Sequence, residues 1–282
     1  MNEDGSMEKS RVVIRGGTIA HVRQGQGEPV LLIHGMPTSA YLWRHVIPLL
    51  AQDFAVYALD LLGYGDSDKP PKVDLSLRAQ AGYVAEFMKK VGLTHATVVG
   101  HDIGGGVAQL LALDRPELVK RLVLLDTVAY DSWPVPEIDR LKDPAWDRII
   151  ETIDLRDGFG KALLRGTFHR DRVTDALVAE YVRPFDGLQG KQAYLRCARA
   201  LNNRDILIRA AEIEQLPLPV LILWGETDNY QDVKVGQRLA DGLPAARMVV
   251  VREAGHFLPE DQPEEIARLM RAFMQDRGSG RR

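Results

Sequence analysis

The chain has 282 residues and a formal net charge of -3, which leaves no broad basic surface to neutralise phosphates and argues against nucleic acid as the main partner. Hydrophobic residues at 45% and charged residues at 27% are ordinary for a soluble globular protein, so wholesale disorder is excluded. No apolar run reaches the roughly 20 residues that span a bilayer.

Two short β-rich runs, 11–15 and 18–23, predict an antiparallel hairpin turning at Gly16 and Gly17. Apolar runs at 29–33, 54–59, 96–100, 121–125, 218–224 and 247–251 read as strands buried on both faces. Helical spacing is carried by 75–91, through Leu77, Ala81, Val84, Ala85 and Met88, and by 104–113 and 264–274. This alternation predicts an α/β fold with a mostly parallel central sheet flanked by helices. It fails between 131 and 211, where helical patterns occur without a strand. That segment is expected to be a helical cap inserted after the sixth strand, over the carboxyl ends of the strands where open α/β sheets bind ligands. The expected organisation is a core in two parts, 11–130 and 212–277, around a cap at 131–211. A Gly/Ser/Arg tail after Arg277 is expected to be disordered.

Cys197 is the only cysteine, so no internal disulfide can form. Met1 to Ser10 lack the basic and apolar regions of a secretion signal, and a cytoplasmic location is the expectation. Cys197 falls in a cap helix with no histidine near it in sequence, and is read as packing.

The sharpest chemical signal is Gly100-His101-Asp102-Ile103-Gly104 between a strand and a helix. It reads as a nucleophile elbow with aspartate in the central position, the glycines on either side allowing strand and helix to approach. His34-Gly35-Met36-Pro37 follows another strand, so the backbone N–H groups of Met36 and Ile103 are expected to form an oxyanion hole. His256 follows the last strand, and Glu226 and Asp228 follow the one before it. The order nucleophile, acid, histidine makes Asp228 the preferred orienting acid, with Asp126, at another strand end, as the alternative and Glu226 third.

These segments, with Thr38-Ser39, Tyr41-Leu42-Trp43-Arg44, Gly63-Tyr64-Gly65-Asp66-Ser67 and Gly255-His256-Phe257, resemble the α/β-hydrolases with aspartate nucleophiles. Those are the haloalkane dehalogenases, epoxide hydrolases and haloacetate dehalogenases, and the resemblance runs from Val30 to Phe273. It implies a hydrolase acting on a small, largely apolar molecule with water as co-substrate, and no metal or other cofactor. An aspartate has an ordinary pKa near ~3.9 and needs no base to become a nucleophile. Attack on an ester carbonyl would give an anhydride, so a saturated carbon is the better target and an alkyl-enzyme ester the expected intermediate.

For the leaving group, haloalkane dehalogenases typically use an indole after the nucleophile and often an amide before the proline, where this chain has Ile103 and Met36. Haloacetate dehalogenases usually carry arginines after the nucleophile, where Ile103 and Gly106 stand here. Epoxide hydrolases use cap tyrosines, and Tyr130, Tyr181 and Tyr194 are available, although Leu195 separates Tyr194 from Arg196 where the family pairs Tyr with Arg. Epoxide hydrolysis is therefore the preferred reading. A haloalkane dehalogenase drawing its indole from Trp133 or Trp146 is the alternative, and a non-catalytic ligand-binding relative the third.

Overall fold

The computed structural model describes residues 8–276, so the Gly/Ser/Arg tail lies outside the described residues, as does most of the N-terminal stretch. Eight strands form one sheet: β1 (Ser10–Ile14), β2 (Gly17–Gln24), β3 (Glu28–Ile33), β4 (Phe54–Leu59), β5 (Ala96–His101), β6 (Val119–Leu125), β7 (Val220–Gly225) and β8 (Ala246–Val251). Their order is β1-β2-β4-β3-β5-β6-β7-β8. The first hairpin joins the sheet antiparallel and every later pairing is parallel. All residues of β4, β5 and β7 are buried, as continuous apolar runs require when helices cover both faces of a sheet.

Local chemistry sets the helix ends. The helix Leu77–Lys90 starts where the Ser76 side chain accepts from the Ala79 N–H, and it ends on Lys89 and Lys90, cations at the negative pole of its dipole. Between these ends it buries Leu77, Ala81, Val84, Ala85, Phe87 and Met88. The helix Ile103–Asp114 differs in being buried from Ile103 to Ala112, because it is wedged between the sheet and its neighbouring helix.

Parallel register carries the carboxyl ends of the central strands to one edge. Ile33 pairs with Gly100, His101 with Leu125, Leu125 with Leu223, and Gly225 with Val251. The segments after β3, β5, β6, β7 and β8 therefore emerge side by side. Between β6 and β7 the chain forms helices and no strand, the longest being Leu155–Gly166 and Gly187–Ala200. The helix Val233–Gly242 between β7 and β8 is an element that the sequence reading did not assign.

The elbow sits where β3, β5 and the following helix come closest. A Cβ on Gly104 would lie 2.4 Å from the backbone oxygens of both Ile33 and His34, and one on Gly100 would lie 2.4 Å from the Gly104 oxygen. Neither backbone can retreat without moving the sheet. Gly104→Ala should therefore destabilise the fold by about 2–3 kcal/mol or more, read as a lower urea midpoint at unchanged m-value. An unchanged midpoint would mean that the elbow relaxes freely.

Candidate active site

Asp102 holds φ 51° and ψ -121°, a conformation that L-residues adopt only when their surroundings enforce it. Here the enforcement is visible. Its N–H donates to the Leu125 oxygen at 3.1 Å, and its own oxygen accepts from Gly105 N at 3.0 Å and Val128 N at 3.2 Å. The strained turn projects the carboxylate from the edge of the sheet onto the positive end of the helix Ile103–Asp114. Oδ2 accepts the Met36 N–H at 2.9 Å, and the Ile103 N–H lies near the carboxylate. Burial raises the Asp102 pKa, opposed by the charge of His256 and by those two N–H groups. One oxygen of this desolvated carboxylate is thus held by a backbone donor.

His256 lies on the loop after β8, which is held at several points. Gly255 N donates to Asp261 Oδ2 at 2.9 Å, Phe257 N donates to the Gly166 oxygen at 3.1 Å, and His101 Nε2 donates to the His256 oxygen at 2.8 Å. Its Nδ1 faces Asp228 Oδ2 at 2.9 Å, with both side chains almost wholly buried. Asp228 Oδ1 accepts from Tyr230 N at 2.7 Å and Gln231 N at 2.9 Å, an Asx turn that fixes the carboxylate. Burial would lower the His256 pKa, but the charge and hydrogen bond of Asp228, with Asp102 behind them, outweigh it and the net direction is up. Burial likewise opposes ionisation of Asp228, yet the charge of His256 and its hydrogen bonds hold that carboxyl below its ordinary range.

Asp102 and His256 open into a cavity of about 480 Å³. Its remaining wall comes largely from the segment after β6, including Trp133, Trp146, Phe159 and Tyr194, so the helical insertion faces the carboxyl ends of the strands. Tyr194 packs between Phe159 at 5.4 Å and Phe185 at 5.5 Å, and its hydroxyl has no hydrogen-bond partner among the described residues. Burial pushes its pKa up to about 12, so it keeps its proton at neutral pH. The Trp133 indole is buried, and its Nε1–H also lacks a partner.

The other expected donors are placed elsewhere. Tyr181 does not line the cavity, and its hydroxyl donates to Glu260 Oε1 at 2.5 Å beside the Arg44–Glu260 ion pair. Tyr130 also lies outside it, donating to Glu214 at 2.8 Å under the Arg238 guanidinium. Glu226 is exposed, and among the described residues its side chain accepts only from Glu253 N. Cys197 is buried with its thiol donating to the Gly63 oxygen, and burial pushes its pKa up to about 12, so it is no nucleophile at neutral pH.

Several contributors were not assigned from sequence. Tyr230 lines the cavity with its ring edge-on to His256 at 5.2 Å. Asp261 accepts from Gly255, Phe168 and His169 and so joins the histidine loop to the insertion. The only signal for Tyr230 is its place two residues after Asp228, and for Asp261 there is none, because its partners are distant in sequence. A nitrogen of His101, a nitrogen of His256 and an oxygen of Asp126 lie within 4.8 Å of one another. That is a spacing a cation could use, but the imidazole of His256 is directed at Asp228 and His101 Nε2 at a backbone oxygen.

Residues 28–263 match the family of the alpha/beta hydrolase fold, and the chain belongs to that family. It is 33% identical to the soluble epoxide hydrolase of Corynebacterium sp. (strain C12), over 91% of this chain and 93% of that protein. It is 31% identical to haloalkane dehalogenase 2 of Mycobacterium tuberculosis, over 89% of each. The solved structure of epoxide hydrolase CorEH without ligand superposes with a TM-score of 0.83 at 28% identity, covering 95% of this chain and 99% of that one. The chain is a hydrolase with relatives in both activities. Among the described residues no helix is long and apolar enough to cross a membrane.

The relocation of two tyrosines has a direct consequence. Tyr181→Phe and Tyr130→Phe should leave turnover within about twofold while costing about 1–2 kcal/mol of stability, from the loss of hydrogen bonds to carboxylates. A collapse in turnover with either variant at unchanged stability would return that hydroxyl to the reaction.

Proposed function

We propose that this protein hydrolyses small, largely apolar epoxides through an alkyl-enzyme ester on Asp102. The observation that carries this reading is the Tyr194 hydroxyl, protonated at neutral pH, without a partner among the described residues, and on a residue that lines the same cavity as Asp102 and His256. Ring opening generates an alkoxide, far more basic than a halide, so it calls for a proton donor on the wall facing the nucleophile. Tyr194, which lines the same cavity, is the residue we assign to that task.

In the first step Asp102 Oδ1 attacks an epoxide carbon, the C–O bond breaks, and the departing oxygen takes the Tyr194 proton. In the second step His256 removes a proton from water as the water oxygen attacks Cγ of the ester. The negative charge that develops on Oδ2 falls where Met36 N–H already donates, with Ile103 N–H beside it. Collapse breaks the Cγ–Oδ1 bond, and the diol leaves with that oxygen and a proton from His256; the proton that the water oxygen carried onto Asp102 is lost to solvent and Tyr194 takes one back, so both groups return to their starting forms. Asp228 orients the imidazole and balances its charge in this step.

The second reading is haloalkane dehalogenation by the same two steps, with halide as leaving group. The observation in its favour is the buried, unpartnered Nε1–H of Trp133 in the cavity wall. Trp146 also lines the cavity, with Arg140 over its ring.

A panel of small epoxides and haloalkanes assayed side by side separates these readings. Diol formation should exceed halide release, and Tyr194→Phe should slow formation of the alkyl-enzyme by about 10²-fold. Dominant halide release that is lost in Trp133→Phe would replace the epoxide reading with the dehalogenase one. His256→Ala should accumulate the covalent adduct, visible as the added substrate mass on the intact protein. No adduct with a compound that the unaltered enzyme turns over would remove the two-step mechanism.

The pH dependence follows from the base. Neutral imidazole is required, and its pKa is raised, so ester hydrolysis should rise with pH through that raised value. Asp228→Asn should move this acid limb to lower pH while lowering the plateau, measured as single-turnover decay of the alkyl-enzyme. An unmoved limb would show that Asp228 does not control His256.

A further inference from the structure

Asp126 is a second carboxyl in the group around His256, and the reaction described above gives it no task. It ends β6 in a left-handed backbone conformation, φ 40°, and is completely buried. Its Oδ1 accepts the Gly225 N–H at 2.8 Å, whereas Oδ2 has no N–H donor among the described residues. The Asp228 carboxyl lies within hydrogen-bonding reach of it, and a nitrogen each of His101 and His256 lies within 4.8 Å. The groups facing Asp126 are thus Asp228 after β7, Asp102 after β5, His101 on β5 and His256 after β8, and none of its neighbours is a lysine or arginine in an ion pair with it.

Two carboxylates in contact inside a protein do not both ionise. Asp228 has the better claim to the charge, since His256 and two backbone N–H groups face it, against one N–H for Asp126. We propose that Asp126 is held as a neutral carboxylic acid whose O–H donates to Asp228, making it a positioning residue for the Asp228–His256 pair. The direction of its acidity agrees: burial first, then the charge of Asp228, pushes the Asp126 carboxyl well above the ordinary range. The arrangement has a purpose for the base. A second anion this close to His256 would raise the imidazole pKa further and hold it as imidazolium at neutral pH, unable to accept a proton from water. The proton on Asp126 leaves one negative charge opposite the imidazole, and its hydrogen bond steadies that charge.

The role of His256 as base rests on the function proposed above, but the protonation of Asp126 does not, so the test uses the free protein without substrate. In the infrared spectrum at neutral pH, a carboxylic acid C=O band that shifts in D2O should be present, vanish in Asp126→Asn and change frequency in Asp228→Asn. In nitrogen-15 histidine NMR, the His256 titration midpoint should agree between the unaltered protein and Asp126→Asn within about 0.3 pH unit, because one neutral group replaces another. A midpoint that falls by about one unit or more, or a spectrum from which Asp126→Asn removes no acid band, would mean that Asp126 is an anion and would overturn the proposal. Should Asp126→Asn fail to fold, the band and its displacement in Asp228→Asn decide the matter alone, and an unmoved band counts against it.

Discussion

The constraint on which the rest of the site depends is the backbone of Asp102. A positive φ on a residue with a side chain is unfavourable, and here it is held by hydrogen bonds from β6 and from the next helix. The same turn places the carboxylate beside Met36 N, at the end of β3, and at the positive pole of a buried helix. Gly100 and Gly104 make this possible because any side chain there would meet backbone oxygens of the adjoining segments. The Asp102 carboxylate is therefore positioned by the sheet itself.

Around that fixed point the remaining groups are arranged by charge in a dry environment. Burial acts against the ionised forms of Asp102, Asp228 and His256 alike, and each is sustained by its partners. His101, also buried, has its pKa lowered to about 3 by burial and by the neighbouring His256 charge, so it stays neutral and serves as a hydrogen-bond donor. With Asp126 neutral, as proposed, one carboxylate faces one imidazole, and the Asp102 carboxylate stands apart from that pair.

The insertion is coupled to this core by buried polar contacts as well as by apolar packing. Arg44 and Tyr181 converge on Glu260, and Asp261 takes N–H groups from Phe168, His169 and Gly255. These two adjacent acids link the wall of the cavity to the loop that carries His256. Leaving such acids without partners would be costly, which favours keeping the insertion in register with the core.

The sequence by itself determined the α/β alternation, the strands to within a few residues, the helical segment between β6 and β7, and the elbow with its order of Asp102, Asp228 and His256. These are legible because apolar periodicity and glycine spacing are local properties of the chain. The sequence preferred Asp228 to Asp126 as the orienting acid only from the order of the motifs, and offered three tyrosines and two tryptophans as donors. Only the tertiary structure put Asp228 against Nδ1 of His256, turned Tyr181 and Tyr130 toward Glu260 and Glu214, and left Tyr194 and Trp133 in the cavity wall, the Trp133 indole N–H without a partner among the described residues. The reason is physical: a side chain's role depends on which partners the fold brings within about 3 Å of it, and those partners lie far away in sequence.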